Sequence, residues 1–382
     1  FSSTPLFGVK AVNTEQHQMD EVVQTAVKFA SRHITPVAMD ADRADPRFPE
    51  GIFAQGIEAG FDRFILPETA GGHGFQPVDL CALVKTLAES CAGHAMVFGV
   101  HAAALKALFD AATPNSASLV EKVLSSQRPL AIAIPEPISW NDFEPTLTAT
   151  LGKTLHLFGQ GLLAVNAAAS GWFLLFAKTA DGTPLALLSA ANHETLVPGE
   201  PEPTLGLRAM PICALKLESH SVQDTHVVAE GSRALSFYRS LLSNLSMVTA
   251  AASCGLMTTA LRKALRYAGE RYQGGKMIID HSHVRSILGQ MSAWVTASSA
   301  ALFHSAAVET DCAAALGTKV SVTDYGVKVC TDAVQILGGY GYMRDYGLEK
   351  TMRDAAVLSL LPISNARAEL LITAMEKEAL IT

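Results

Sequence analysis

The stretch DAVQILGGYGYMRDYGLEKTMRD, Asp332 to Asp354, decides how this chain is read. Ala333, Val334, Ile336 and Leu337 fall on one side of a helix. The pattern breaks at Gly338-Gly339, breaks again at Gly341, and resumes as a charged run of helix-forming residues. Paired glycines at a helix end let backbone approach another group, or supply the positive φ that terminates the helix. Gly-Gly alone predicts no more than a helix–glycine–helix corner. The length of the whole string asks for more, and the rest of the chain bears on it.

With 382 residues the chain exceeds one ordinary core, so two or three domains are expected. Apolar residues make up 49% and charged residues 17%, enough to bury a large core and too few charges for disorder. A net charge of −7 argues against nucleic acid or an anionic membrane surface as the main partner. Charged or polar residues interrupt every apolar run, so no transmembrane span is expected. The six cysteines, Cys81, Cys91, Cys213, Cys254, Cys312 and Cys330, show no CxxC or zinc spacing and read as reduced core thiols. A cytoplasmic location is therefore expected. Because the first residue is Phe1, an organelle matrix stays open as the alternative.

Met19, Val22, Val23, Ala26, Phe29 and Ala30 mark an amphipathic helix with Thr14 as its N-cap, ending near Thr35-Pro36. A linker leads to a short helix around Ile52–Ala59. The glycine-rich stretch from Gly60 to Phe75 lacks the Lys-Ser/Thr of a phosphate loop and reads as structural. Residues 78–124 are helical in spacing. His94 and His101 lie two turns apart with no acidic companion, so no metal site is expected. After Pro129 the period shortens. Seven β-type runs, with Asp181-Gly182 as a hairpin turn, predict a small antiparallel barrel or sandwich. Helical spacing returns at Ser236, with a helix that is apolar or small nearly all round over Leu242–Tyr267. Partner helices follow at Asp280–Ala307, Thr310–Leu337 and Thr351–Lys377.

The string from Gln335 through GGYGY to Met352-Arg353-Asp354 resembles the carboxy-terminal signature of the acyl-CoA dehydrogenase superfamily, and a Pro67-Glu68-x-x-Gly71-Gly72-x-Gly74 segment has a similar counterpart in that family's first helical domain. The fold class expected is mainly α with a central β domain: an N-terminal helical domain over 1–128, a β-barrel or sandwich over 129–233, and a helical bundle over 234–382. The resemblance implies an FAD between the β module and the bundle, its adenosine end reaching a neighbouring subunit. It implies that Arg271 and Gln273 grip the pyrophosphate and adenosine of that neighbour's FAD. Arg suits a diphosphate because its fork bonds two oxygens at once. Gln335, Gly338 and Gly339 would close over the same end, and Ser364 keeps a hydroxyl near the nucleotide.

Other positions depart from the family pattern. Pro135 stands for a Thr, Trp140-Asn141 for a Gly-Ser pair, Leu163 for a Trp and Val165 for a Thr, so groups that would hold the flavin ring are replaced by hydrocarbon. The dehydrogenation needs a carboxylate base, because a proton leaves the carbon α to a thioester while hydride goes to flavin N5. The two family positions for that Glu are Pro362 and Leu245, and a neighbouring Arg position is Ser246. No catalytic residue is assigned; Asp345, Glu349, His281 and His283 read as solvated helix residues. Ala250, Ala251, Ala252 and Ser253 would leave room for an acyl chain or serve tight helix packing. Residues acting on a neighbour's cofactor persist while those acting on the chain's own ring and substrate are gone. The expectation is a non-catalytic or atypical subunit contributing to FAD binding at a subunit interface, in a homo-oligomer or in a heteromer with another acyl-CoA dehydrogenase subunit, with an acyl-CoA-type small molecule as the family's substrate. The alternatives are an active FAD-dependent oxidoreductase with a non-standard base, and a flavin-free binding or scaffold homologue.

Overall fold

The computed structural model describes residues 13–133, 145, 147–151, 154–191, 194–223, 226–308 and 311–381. The departures at Pro135, Trp140 and Asn141 lie outside them.

Six helices come first: α1 (Asn13–Phe29), α2 (Ala38–Arg43), α3 (Glu50–Glu58), α4 (Pro77–Ala88), α5 (Ala92–Asp110) and α6 (Ser116–Ser125). The predicted first helix begins at Asn13, so Thr14 lies inside it, and the supposed linker contains α2. By length and composition α5 and a later helix, α7 (Ser232–Glu270), could each cross a membrane, against the expectation from sequence. Most of each apolar window is instead buried inside the protein, as in core helices. Their composition is Ala, Gly, Val, Leu and Met with few charges, so they can be enclosed on every side.

Eight strands follow: β1 (Leu130–Ala133), β2 (Leu147–Leu151), β3 (Leu155–Val165), β4 (Trp172–Thr179), β5 (Pro184–Ala190), β6 (Leu196–Pro201), β7 (Ile212–Val222) and β8 (Val227–Glu230). They form one sheet in the order β6-β7-β3-β1-β4-β5-β8, with β2 pairing β3 and β4. The sheet is mixed rather than antiparallel, since β1 and β2 each run parallel to β4. Alternation explains how the sheet docks. Ile132, Leu174, Phe176, Ala186 and Leu188 pack into the core shared with the helices. Ala131, Phe173, Leu175, Leu185 and Leu187 fill a separate core within the β region. With both faces buried, these strands read as continuous apolar runs.

After α7 come a two-stranded hairpin, β9 (Tyr272–Gln273) and β10 (Lys276–Met277), and the helices α8 (Ser282–Ala307), α9 (Cys312–Leu337), α10 (Leu348–Leu358) and α11 (Asn365–Ile381). The single helix expected over 351–377 is two helices, interrupted at residues 359–364. Gly274-Gly275, expected to stop a helix, instead form the hairpin turn, both at positive φ. Ala250, Ala251, Ala252 and Ser253 are fully enclosed, and Ser253 donates its hydroxyl to the Val322 carbonyl of α9 at 3.2 Å. Their small size serves close packing of α7, and in this structure they open no acyl channel.

Candidate functional site

The end of α7, the β9–β10 hairpin and the glycine corner after α9 meet around an open groove of about 740 Å³. Arg271, Gln273, Gly338 and Gly339 line it, together with Tyr267, Ile278, Ile336, Leu337, Tyr340, Met343, Asp345 and Tyr346. Residues 67 apart in sequence thus share one surface. Arg271 is fixed through its backbone: its N–H donates to Tyr267 O at 2.9 Å, and its carbonyl accepts from Ile278 at 2.8 Å. Its guanidinium lies 5.9 Å from the centre of the Tyr340 ring. Tyr340 in turn has Tyr267 and Tyr346 as ring neighbours at 6.2 and 5.5 Å. His281, partly exposed, braces the hairpin by bonding Gln273 O at 2.9 Å.

The glycines are there for geometry. Gly338 ends α9 at φ 56°, ψ −131°, backbone that a β-carbon resists. A β-carbon on Gly341 would stand 2.1 Å from the Val334 carbonyl, so the corner closes only with glycine there. Gln335 stands one turn earlier, exposed, with its carbonyl accepting the Gly338 N–H; its side chain is outside the groove lining. Ser364 is elsewhere: its carbonyl accepts the Ala368 N–H at 2.9 Å, and its hydroxyl faces the Arg367 N–H at the start of α11. The tyrosines and Asp345 were missed by sequence reasoning. The signal was the repeated Tyr in GGYGYMRDY, spaced to surround a glycine corner.

The second half of the signature turns inward. Arg353 holds Asp42 of α2 with two nitrogens, at 3.1 and 2.6 Å, the Leu205 carbonyl of the β region at 2.8 Å, and Glu349 at 2.8 Å. Glu349 is therefore an ion-pair partner, not a solvated residue. Asp354, fully buried, accepts the Leu207 N–H at 2.7 Å and pairs with Lys350 at 2.5 Å. Lys350 also reaches the Cys91 sulfur at 3.5 Å. Burial works against the Lys350 charge, but Asp354 and Cys91 hold its pKa well above the ordinary lysine range. One helix thereby ties the first helices, the sheet and the bundle together.

At one position where the resembled family carries its base, Leu245 is 2% exposed; next to it, at the Arg position, Ser246 is fully buried with its hydroxyl donated to Leu242 O at 2.7 Å. Pro362 lies in the loop between α10 and α11. That loop is anchored by Lys319, whose ammonium donates to Ser359 O, Ile363 O and Asn365 Oδ1 at 3.0, 2.7 and 2.6 Å. Burial pushes Lys319 down to about 7, with Asp324 opposing. Leu163 is 55% exposed on β3. Asn166, which follows Val165, is buried at φ 62° with its Oδ1 unpartnered. Among the described residues no group of three or more His, Cys, Asp or Glu could hold a metal ion.

Family models for the acyl-CoA dehydrogenase N-terminal and C-terminal domains match residues 14–118 and 236–362. This chain belongs to the acyl-CoA dehydrogenase family. It is 26% identical over 366 residues to a 3-(aryl)acrylate reductase of Clostridium sporogenes, covering 91% of this chain and 94% of that protein. It is 26% identical to a benzylmalonyl-CoA dehydrogenase of Aromatoleum aromaticum, over 87% and 91% of the two chains. The fold superposes on butyryl-CoA dehydrogenase of Megasphaera elsdenii with a TM-score of 0.89 at 19% identity, covering 98% of this chain and all of that one. FAD and acyl-CoA are typical of this family of flavoprotein oxidoreductases.

Proposed function

We propose that this family member is a subunit whose groove holds the pyrophosphate and adenosine end of an FAD seated mainly in another subunit, and that it does not itself abstract the substrate proton. The observation that carries this reading is a contrast within one chain. The groove with Arg271, Gln273 and Gly338-Gly339 is open and lined by a cation and aromatic rings. Leu245 and Pro362 offer no proton acceptor where the family has its carboxylate.

The residues present suit that end of the cofactor. The Arg271 fork can bond a diphosphate at two oxygens, Tyr340 and Tyr346 give a planar base rings to stack on, and the Asp345 carboxylate can accept from a ribose hydroxyl. When bound, FAD supplies the hydride acceptor; this chain's contribution is to hold and orient its distal end. An active dehydrogenase with a different base is the second reading, favoured by the near full-length match to named reductases and dehydrogenases.

Flavin absorbance of the purified full chain, alone and co-expressed with a dehydrogenase of the family that carries the Glu, separates the readings. A colourless isolated chain and a yellow mixed complex are expected. A yellow isolated chain that reduces its own flavin with an acyl-CoA supports the second reading and overturns the first. A chain that stays colourless in both preparations leaves only a flavin-free binding or scaffold role.

A further inference from the structure

Cys91 occupies the N-cap position of α5, a 19-residue helix, and is itself buried. A helix N-terminus favours negative charge. Three of its neighbours are titratable: Lys350 and Asp354 from α10, and His94 from the first turn of α5, whose side chain bonds the sulfur. Two further charged groups stand behind them. Lys263 of α7 donates to Tyr346 O at 2.8 Å, and burial and Lys350 push its pKa down. Asp42 of α2 is held by Arg353. The β region contributes backbone, through the Leu207 N–H on Asp354. His94 is 1% exposed and its Nδ1 has no partner.

An enclosed ammonium 3.5 Å from a thiol, with one carboxylate already paired to it, is an arrangement that accepts a second anion. We propose that Cys91 is held as a thiolate against Lys350, and that this buried pair makes the joint between the first helices, the sheet and the bundle sensitive to pH. The other cysteines differ. Burial pushes Cys81, Cys254 and Cys312 up to about 12 and Cys213 up to about 11, and raises Cys330 further. At Cys91 burial acts in the same sense, yet Lys350 and His94 overcome it and bring the thiol down to about 7. An unfolded cysteine ionises near 9, so the thiolate stabilises the fold fully above that pH. The contribution falls away as pH drops through 7. This inference stands apart from the flavin reading, since it concerns the joint and not the groove.

Thiolate absorbance in the ultraviolet, followed against pH on the native full chain, tests it. One thiolate per chain is expected to appear with a midpoint near 7, well before the remaining cysteines. Cys91→Ser should abolish that step and flatten the rise in melting temperature between pH 7 and 9. His94→Gln should move the midpoint upward. If no thiolate forms below pH 9 in the native chain, the proposal is wrong, and that result needs no variant to fold. Survival of the early step in Cys91→Ser would overturn it equally.

Discussion

The two halves of the glycine-rich signature share one corner of the fold and do opposite physical work. Most of residues 338–346 face outward, with Tyr340, Met343 and Tyr346 exposed around a groove and Tyr342 exposed beside them. Residues 348–354 face inward, where Lys350, Thr351 and Asp354 are buried and Arg353 spans to α2 and to the connection between β6 and β7. A signature recognised as one motif is thus two devices, an outward-facing corner at a groove and an internal clamp. The clamp needs no ligand to account for its residue types. The groove differs in kind, with the Arg271 guanidinium set against the exposed ring of Tyr340. Changes in the inner half should cost stability, and changes in the outer half should cost binding.

The strongest test of the inner half is Asp354→Ala. It removes the carboxylate paired with buried Lys350 and orphans the Leu207 N–H, a loss of about 3–5 kcal/mol for breaking a buried pair from one side. Thermal unfolding of the full chain reads it. A fall in melting temperature no larger than that of a surface substitution would show the clamp to be incidental.

A comparable effect is expected from acid at another internal joint. His101, fully buried, takes the Leu130 N–H on Nδ1 and gives its Nε2 proton to Asp62 O, both at 3.0 Å, tying α5 to the start of the sheet. Burial lowers its pKa from 6.5 to about 4. The unfolded chain therefore takes up a proton before the folded one does. Stability is complete above 6.5 and is lost as pH falls through 4, by about 3 kcal/mol. His101→Gln should flatten that part of the melting-temperature profile; an unchanged slope would assign it to other groups.

Much of the architecture was legible because hydrophobic spacing switches twice, from helical to alternating after Pro129 and back at Ser236. What stayed hidden shows which signals are local. Strand β6, LVPGEP, carries Pro198 and Pro201 and is not among the seven runs read from sequence. It survives as a strand because it lies at the edge of the sheet, where β7 alone pairs with it and a missing N–H is tolerated. The parallel pairing of β1 and β2 with β4 has no local signature. Four groove residues were foreseen, because a resemblance placed Arg271, Gln273 and the glycine pair. The tyrosines around them and the clamp were not. Arg353 and Asp42 lie 311 residues apart, and nothing in the spacing of either announces the other. Ser364 was assigned by analogy of position; it stands at the start of α11, where its carbonyl accepts the Ala368 N–H.

Lys319→Met is expected to cost less than the loss of Asp354, about 2–3 kcal/mol. It removes a charge together with its donors, but leaves the Ser359 and Ile363 carbonyls without their ammonium. Chemical denaturation measures it. The slope of the unfolding curve should hold while the midpoint falls. The loop between α10 and α11 is the element at stake, and protease cleavage confined to residues 359–364 in the variant would localise the damage there.

Arg271→Ala should barely affect folding, within about 0.5 kcal/mol, since the side chain is partly exposed and makes a ring contact but no ion pair among the described residues. Its effect belongs to the cofactor. Removing a charge-assisted pair to a diphosphate is worth about 1.5–3 kcal/mol, or roughly tenfold to a hundredfold in flavin retention by the mixed complex. Arg271→Lys should recover only part of this, because an ammonium lacks the fork that meets two oxygens at once. Flavin content after gel filtration at fixed protein concentration distinguishes the outcomes. If Arg271→Ala keeps its flavin but melts early, the outer half of the signature is structural too, and the division between groove and clamp fails at its most exposed residue.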